Sequence, residues 1–147
     1  DISFKIREYQ KKSFSFESLT KAFDNAEGKY SDHVEQLLKQ LTQHDITTQL
    51  ANTFDLGWGN RFERQAKRFI PVMLASGASE GEALDHLLST RVMRNGKVTG
   101  RYDVSAEDIG KLSDALLDFW SNTNFEGGPN KSLQLLETDR QRKERGG

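Results

Sequence analysis

The stretch of sequence that decides the fold is SEGEALDHLLSTRV, residues 79–92. Ser79 and Glu82 have the spacing of a capping box, in which each side chain accepts a hydrogen bond from the other residue's backbone N–H. The apolar residues that follow recur at three- and four-residue steps, which predicts one inward face made of Ala83, Leu84, Leu87, Leu88 and Val92. The stretch therefore predicts an amphipathic helix with a defined first turn.

Downstream of this helix the chain is expected to turn and enter a second capped helix. Asn95-Gly96 is a strong turn signal, and Ser105 with Asp108 repeats the capping-box spacing. We expect the next helix to bury one apolar set, namely Ile109, Leu112, Leu116, Leu117, Phe119 and Trp120. Residues 126–130 then interrupt the chain before a last, highly charged segment.

Immediately upstream, another amphipathic helix is predicted, and Asn60 can cap it. Pro71 lies inside this helix and is expected to kink it, because proline lacks a backbone N–H and crowds the preceding turn. Gly77 is expected to end the helix.

Three more helices are predicted nearer the N-terminus. Ser15 can cap the first, which is expected to end near Gly28, and Ser31 or Asp32 starts the second. A third, shorter helix is indicated at residues 46–54.

The N-terminal residues have a different period. Ile2, Phe4 and Ile6 alternate with polar residues, which is typical of a strand. A single strand is not stable by itself, so residues 1–14 are expected to pair elsewhere or to form an extended arm.

The predicted fold class is mainly α, a compact helical bundle of about five to seven helices with one short N-terminal strand or extended arm. We expect residues 1–130 to form a single helical domain. Residues 131–147 are expected to form a charged C-terminal helix or tail.

Composition excludes several classes of protein. The 147 residues contain no cysteine, so the chain has no disulfide, thiolate metal site or thiol nucleophile, which fits a cytoplasmic protein. No segment approaches the roughly 20 apolar residues of a membrane span. The chain begins with Asp1 rather than Met, and we therefore expect it to be a piece of a longer protein.

Catalytic and metal-binding motifs are missing from the sequence. No phosphate-binding Gly-x-x-x-x-Gly-Lys-Ser/Thr run and no Gly-x-Ser-x-Gly elbow occurs. His33, His44 and His86 do not have the spacing of metal ligands. We expect no catalytic residue, no metal and no bound cofactor, and hence no complete enzyme in this chain.

Charge is unevenly distributed along the chain, although the formal net charge is only −1. Residues 58–101 carry eight basic and four acidic side chains, whereas residues 102–139 carry two basic and eight acidic ones. The central basic residues are Arg61, Arg64, Lys67, Arg68, Arg91, Arg94, Lys97 and Arg101. They could converge on a phosphate-bearing ligand, or they could form a solvated face that pairs with the acidic segment.

Residues 57–101 also carry a resemblance to a known family. They contain a Gly57-Trp58-Gly59-Asn60-Arg61-Phe62 turn into a helix, then Ala83-Leu84-Asp85, and then Arg91-Val92-Met93-Arg94 before Gly100. This arrangement resembles the C-terminal helical lid of McrB-type AAA+ ATPases, with residues 57–122 as the lid-like core.

The resemblance implies a non-catalytic domain that responds to nucleotide. The missing NTPase domain of the same chain would bind ATP or GTP with magnesium, and the whole protein would act as an oligomer. The resemblance places Arg61 at the sensor 2 position, which approaches the terminal phosphates, with Arg64 and Arg68 as fallback candidates. Trp58, between two glycines, is interpreted as a loop anchor; the other interpretation is that it packs against a base or a neighbouring subunit.

Other functions stay open at this point. The central basic residues could instead form a helical nucleic-acid-binding module, with DNA as the partner. The N-terminal strand or the charged C-terminal helix could dock a nuclease or adaptor subunit.

Overall fold

The computed structural model describes residues 16–56, 59–93 and 103–146. Within these ranges the chain forms six α-helices and no strand, so the predicted mainly α bundle is confirmed. The helices are α1 (Phe16–Gln43), α2 (Asp45–Thr53), α3 (Asn60–Ala75), α4 (Glu80–Leu87), α5 (Ala106–Thr123) and α6 (Asn130–Glu144), and a π-helical turn, Leu88–Val92, follows α4 directly. The predicted N-terminal strand or arm and the predicted turn at Asn95-Gly96 lie outside the described residues.

The helices form two packed pairs that are joined by α4. α1 packs along α3, and α5 packs along α6, while α2 lies against α5. α4 contacts both α3 and α6. All six helices contribute to one continuous hydrophobic core. No helix in the described ranges combines the length and the apolar character needed to cross a membrane.

The predicted break near Gly28 is wrong, because α1 continues through Gly28, Ser31 and Asp32 as one helix of 28 residues. Glycine inside a helix costs only about 1 kcal/mol relative to alanine. The second half of α1 buries Val34, Leu37, Leu38 and Leu41 in the common core, and this burial outweighs that cost. The proposed cap Ser15 lies outside the described residues.

The predicted cap of α3 is wrong, whereas its predicted end at Gly77 is confirmed. Asn60 is the first helical residue rather than the cap, and the carbonyl of Gly59 accepts from the N–H groups of Phe62 and Glu63. At the other end Gly77 has a φ of +102°, and its N–H and that of Ala78 close a Schellman motif on Leu74 and Met73. α3 runs through the buried Pro71 to Ala75, so the proline expected to kink the helix does not end it.

Both predicted capping residues are confirmed at the starts of α4 and α5. Ser105 and Asp108 form the full reciprocal box, with hydrogen bonds of 3.1 and 3.0 Å. At α4 the N–H of Glu82 donates to Ser79 Oγ. The Glu82 carboxylate pairs with the same hydroxyl, at 3.1 Å, instead of accepting from the backbone N–H of Ser79.

One predicted core residue of α5 is exposed. Leu117 is 46% exposed, whereas Ile109, Leu112, Leu116, Phe119 and Trp120 are buried as predicted. The buried residues follow three- and four-residue steps, and Leu117, directly after Leu116, is rotated about 100° out of that face. Its burial would require a neighbour that the described helices do not provide on that side.

The N-terminus of α6 is held by a side chain from another helix. Its N-cap residue is Pro129, which provides no side-chain cap. Instead the backbone N–H groups of Lys131 and Ser132 donate to the two carboxylate oxygens of Asp85, each at 2.9 Å. Asp85 lies on α4 and is only 4% exposed. A carboxylate here satisfies two free N–H groups and faces the positive end of the helix dipole.

The loop between α5 and α6 rests on the first turn of α4. Trp120 Nε1 donates to the carbonyl of Gly127 at 3.0 Å, and the Ser79 hydroxyl lies 2.8 Å from the carbonyl oxygen of Glu126. A Cβ at Gly81 would come within 2.6 Å of that Glu126 oxygen and closer still to the oxygen of Gly127. The close approach therefore depends on glycine at position 81.

We expect Asp85→Ala to lower the free energy of unfolding by about 2 to 5 kcal/mol, because it leaves two N–H groups of α6 without their acceptor. Urea denaturation followed by circular dichroism measures this change. Asp114→Ala, an exposed aspartate on α5, is the control and should stay within about 0.5 kcal/mol of the parent. Equal effects of the two substitutions would contradict the cap assigned to Asp85.

Two glycine substitutions should have opposite effects. Gly81→Ala should lower the melting temperature, since overpacking against backbone atoms costs about 1 to 3 kcal/mol. Gly28→Ala should raise it, because the new Cβ meets no atom within 4 Å and helix propensity improves by about 1 kcal/mol. Calorimetry of both variants checks the pair; a Gly81→Ala protein as stable as Gly28→Ala would refute the close approach.

Candidate functional site

The basic residues of α3 lie on its outward side. Phe62, Ala66 and Ile70 are buried and attach the helix to the core. Arg64 comes three positions after Arg61, and Lys67 and Arg68 come three and four positions after Arg64, so successive turns on one side of the helix carry these four basic residues. We call them the α3 basic face: Arg61, Arg64, Lys67 and Arg68, all of them exposed.

Arg61 occupies the first turn of α3. The helix begins after Gly59, which has no side chain with which to cap the free N–H groups of that turn. Arg61 and Arg64 have no ion-pair partner among the described residues. Two guanidinium groups about one turn apart are therefore available to an anion from outside the described bundle.

Arg68, by contrast, is engaged with α1. Its Nη1 lies 3.4 Å from Asp24 Oδ1 and 3.5 Å from Glu27 Oε2. Its guanidinium carbon also lies 5.6 Å from the centre of the Phe23 ring, a cation–π distance. Arg68 therefore links α3 to α1, which makes it a weaker candidate for a ligand contact than Arg61 or Arg64.

Lys67 borders two shallow grooves between α1 and α3, with volumes of about 380 and 440 Å³. The larger groove is also lined by Asp24, Glu27 and Glu35, and the smaller one by Glu35 and Glu63. Carboxylates therefore line both grooves together with Lys67, and Lys39 also lines the smaller one. The position of Lys67 therefore does not favour an anionic ligand as strongly as that of Arg61.

Arg91 is not part of the α3 basic face. It lies exposed on the π turn after α4, and its charge acts on His86, together with that of Lys131 on α6. Burial lowers the pKa of His86 below its ordinary value of 6.5, the charges of Lys131 and Arg91 lower it further, and Asp85 acts in the opposite direction. The central basic residues thus fall into two separate groups.

Four further residues that the sequence analysis singled out cannot be placed in either group. Trp58, the proposed loop anchor, lies outside the described residues. So do the basic residues Arg94, Lys97 and Arg101.

Asp85 is the residue whose importance the sequence analysis missed. It entered only as part of the Ala83-Leu84-Asp85 resemblance, whereas the structure gives it the cap of α6 described above. An acidic residue on an apolar helical face, beside Leu84 and before Leu87, was the available signal, because a carboxylate there is rarely buried without hydrogen-bond donors.

The three histidines have separate neighbours. His33 Nε2 pairs with Glu80 at 2.8 Å. His44 accepts from the N–H of Ile46 as the cap of α2, and its other nitrogen lies 2.9 Å from Asp118. Within the described residues no group of three or more His, Asp or Glu side chains could hold a metal ion.

Comparisons with known proteins identify no relative of this chain: no family model, curated protein or solved structure matches it.

We expect NMR titration to give His86 a pKa below 6.5. The unfolded chain then binds more protons than the folded one, so stability should rise with pH through the interval below 6.5 and level off above it. Lys131→Gln and Arg91→Gln should each raise the pKa of His86, because each removes a neighbouring positive charge.

Lys111→Gln is the matched control, since Lys111 pairs with Glu107 on the exposed side of α5. It should leave the titration of His86 unchanged. A His86 midpoint at or above the ordinary value would contradict the electrostatic environment described here.

Proposed function

We propose that the chain is a non-catalytic, lid-like helical domain that works beside an NTPase domain, with Arg61 in contact with a phosphate of the bound nucleotide. The observation that carries this proposal is the state of Arg61, which is exposed in the first turn of α3 and has no ion-pair partner among the described residues. The resemblance of residues 57–101 to McrB-type lids supports the same role.

The chemistry of this position suits a phosphate. A guanidinium presents several N–H donors in a fixed plane, and the positive end of the helix dipole adds to the attraction for an anion. Arg64, about one turn further along α3, is the second residue in a position to contribute. Arg68 has a different role in this proposal, because it holds α1 against α3 through Asp24 and Glu27.

The attachment of α3 to the core would convert phosphate contact into movement of the domain. α3 packs against α1 and α4, and α4 packs against α6. A pull on Arg61 therefore acts on a helix that is packed into the bundle rather than on a loop. In the proposed mechanism, release of the terminal phosphate removes this contact and allows the domain to shift relative to the NTPase domain or to a neighbouring subunit.

A nucleic-acid-binding or protein-interaction module is the alternative function. It would use the larger set of basic residues, including Arg64, Lys67, Arg68 and Arg91. The geometry favours it less, because Arg68 already pairs with two carboxylates, Lys67 lies among others, and Arg91 belongs to a different group. DNA binding requires a broad basic surface. The carboxylates beside Arg68 and Lys67 and the separate position of Arg91 interrupt such a surface here.

The test is NTP hydrolysis by the full-length protein that contains this chain, measured for the unsubstituted protein and for Arg61→Ala. We expect the substitution to lower the rate at least tenfold, since a hydrogen bond to a charged group contributes about 1.5 to 3 kcal/mol. Arg142→Ala, at an exposed position near the end of α6, is the control and should leave the rate unchanged.

Three results would contradict the proposal in different ways. Unchanged hydrolysis and oligomerisation in Arg61→Ala would remove the role of Arg61. An unsubstituted protein that hydrolyses neither ATP nor GTP would remove the lid proposal itself. Salt-sensitive binding of a DNA duplex without any hydrolysis would favour the alternative function.

A further inference from the structure

A single residue, His44, connects α1 to α2. α1 ends at Gln43, and α2 begins at Asp45. The backbone of His44 is extended, with φ −82° and ψ 151°, and its N–H donates to the carbonyl of Leu41 at the end of α1. The change of direction between the two helices therefore occurs at this residue.

The side chain of His44 uses both of its ring nitrogens. Nδ1 accepts from the N–H of Ile46 at 3.0 Å, which makes His44 the cap of α2. Nε2 lies 2.9 Å from Asp118 Oδ2 on α5. The ring also packs edge-on against Phe119, with 5.2 Å between the ring centres, and only 14% of the side chain is exposed. The imidazole is thus held between the first turn of α2 and α5.

These two contacts are compatible with only one form of the imidazole. A backbone N–H can donate to Nδ1 only when that nitrogen carries no proton. The neutral ring therefore has its proton on Nε2 and donates it to the carboxylate of Asp118. The charged ring has a proton on each nitrogen, so it keeps a donor for Asp118 but has no acceptor for the N–H of Ile46.

The charged groups around His44 are mostly carboxylates. Asp118 and, one turn before it, the exposed Asp114 lie on α5, and Asp45 is in the first turn of α2. The last turn of α1 has no basic residue, and Lys39, directly before that turn, lines the groove towards α3 instead. The surroundings of the ring therefore attract a positive charge, and in the structure none of these groups replaces Nδ1 as the acceptor for α2.

Protonation strengthens one contact of His44 and removes the other. The hydrogen bond to Asp118 becomes charged at both ends, which is the stronger kind, so the ring stays on α5. At Nδ1 two N–H groups then face each other, and a positive charge at the start of α2 opposes the helix dipole. The separation therefore occurs at the first turn of α2 and not between His44 and α5.

We propose that His44 is a proton-operated cap, which closes the first turn of α2 when the ring is neutral and opens that turn when the ring is charged. Ile46 and Leu50 are buried in the core, and Thr47 Oγ1 donates to the carbonyl of Leu41 at 2.6 Å, so the opening is confined to the start of α2. Histidine ordinarily changes its charge between about pH 5 and 8, so a change of pH within that interval operates the cap. This device does not depend on the lid-like function proposed above.

The test is NMR spectroscopy of the 147-residue chain between about pH 8 and about pH 5. Imidazole nitrogen shifts identify the tautomer, and a coupling across the hydrogen bond, between the backbone nitrogen of Ile46 and His44 Nδ1, reports the cap directly. We expect the Nε2–H tautomer and this coupling at high pH, and loss of the coupling as His44 becomes charged. The protection of the Ile46 amide from exchange, corrected for the intrinsic effect of pH, should fall about fivefold, the factor that corresponds to a typical cap.

Three variants connect this change to His44. His44→Asn should keep the Ile46 amide protected at every pH in the interval, because asparagine caps helices well and does not titrate. His44→Ala should leave that amide as weakly protected at every pH as it is in the charged parent. His33→Gln is the matched control, since it removes a histidine that pairs with Glu80 and should retain the pH response of Ile46.

The proposal is overturned if neutral His44 carries its proton on Nδ1, or if the coupling and the protection of Ile46 persist while His44 becomes charged. It is also overturned if His44→Asn, in which His33 and His86 are intact, shows the same pH response as the parent. None of these measurements involves Arg61, so a failure of the His44 cap and a failure of the proposed lid function give different results.

Discussion

The hydrogen bonds from the first turn of α6 to the buried carboxylate of Asp85 are the interaction on which the rest of the structure depends. They join two helices that are far apart in sequence, and they do so with a charged group that is costly to bury without donors. The same helix, α4, receives the α5–α6 loop at Ser79 and Gly81. α4 is therefore the element against which α6 and the α5–α6 loop are assembled. The position of Lys131 beside His86 is a consequence of this cap.

Some basic side chains of the protein are paired with carboxylates, and others are not. Arg68 binds Asp24 and Glu27 across the α1–α3 contact, and Arg140 binds Glu137 and Glu144 within α6. These arginines contribute to packing and to helix stability. Arg61 and Arg64 in the first turns of α3 are among the basic residues for which the described residues provide no acidic partner. The proposed role of Arg61 depends on this difference between paired and unpaired arginines.

Much of the fold could be predicted from local sequence. The starts of α4 and α5, the end of α3 at Gly77 and the inward residues Leu84 and Leu88 all follow from short-range hydrogen bonding and from helical periodicity. The continuous α1 could not be predicted in the same way. Gly28 has the local signal of a helix end, and only the burial of the later turns of α1 in the core overrides that signal. Leu117 was misassigned because an apolar residue does not reveal which side of a helix its neighbours cover.

For the candidate sites, even less could be predicted from the sequence. By itself, the sequence determined that the chain is helical, where several helices start, and that its positive charge is concentrated between residues 58 and 101. Only the tertiary structure decided that Arg68 is paired, that Asp85 is a cap, and that Lys131, outside that basic segment, lies beside His86. The physical reason is the distance along the chain over which each kind of interaction acts. Capping and periodicity act within a few residues of the chain, whereas the partner of a charge is set by contacts between helices that are distant in sequence.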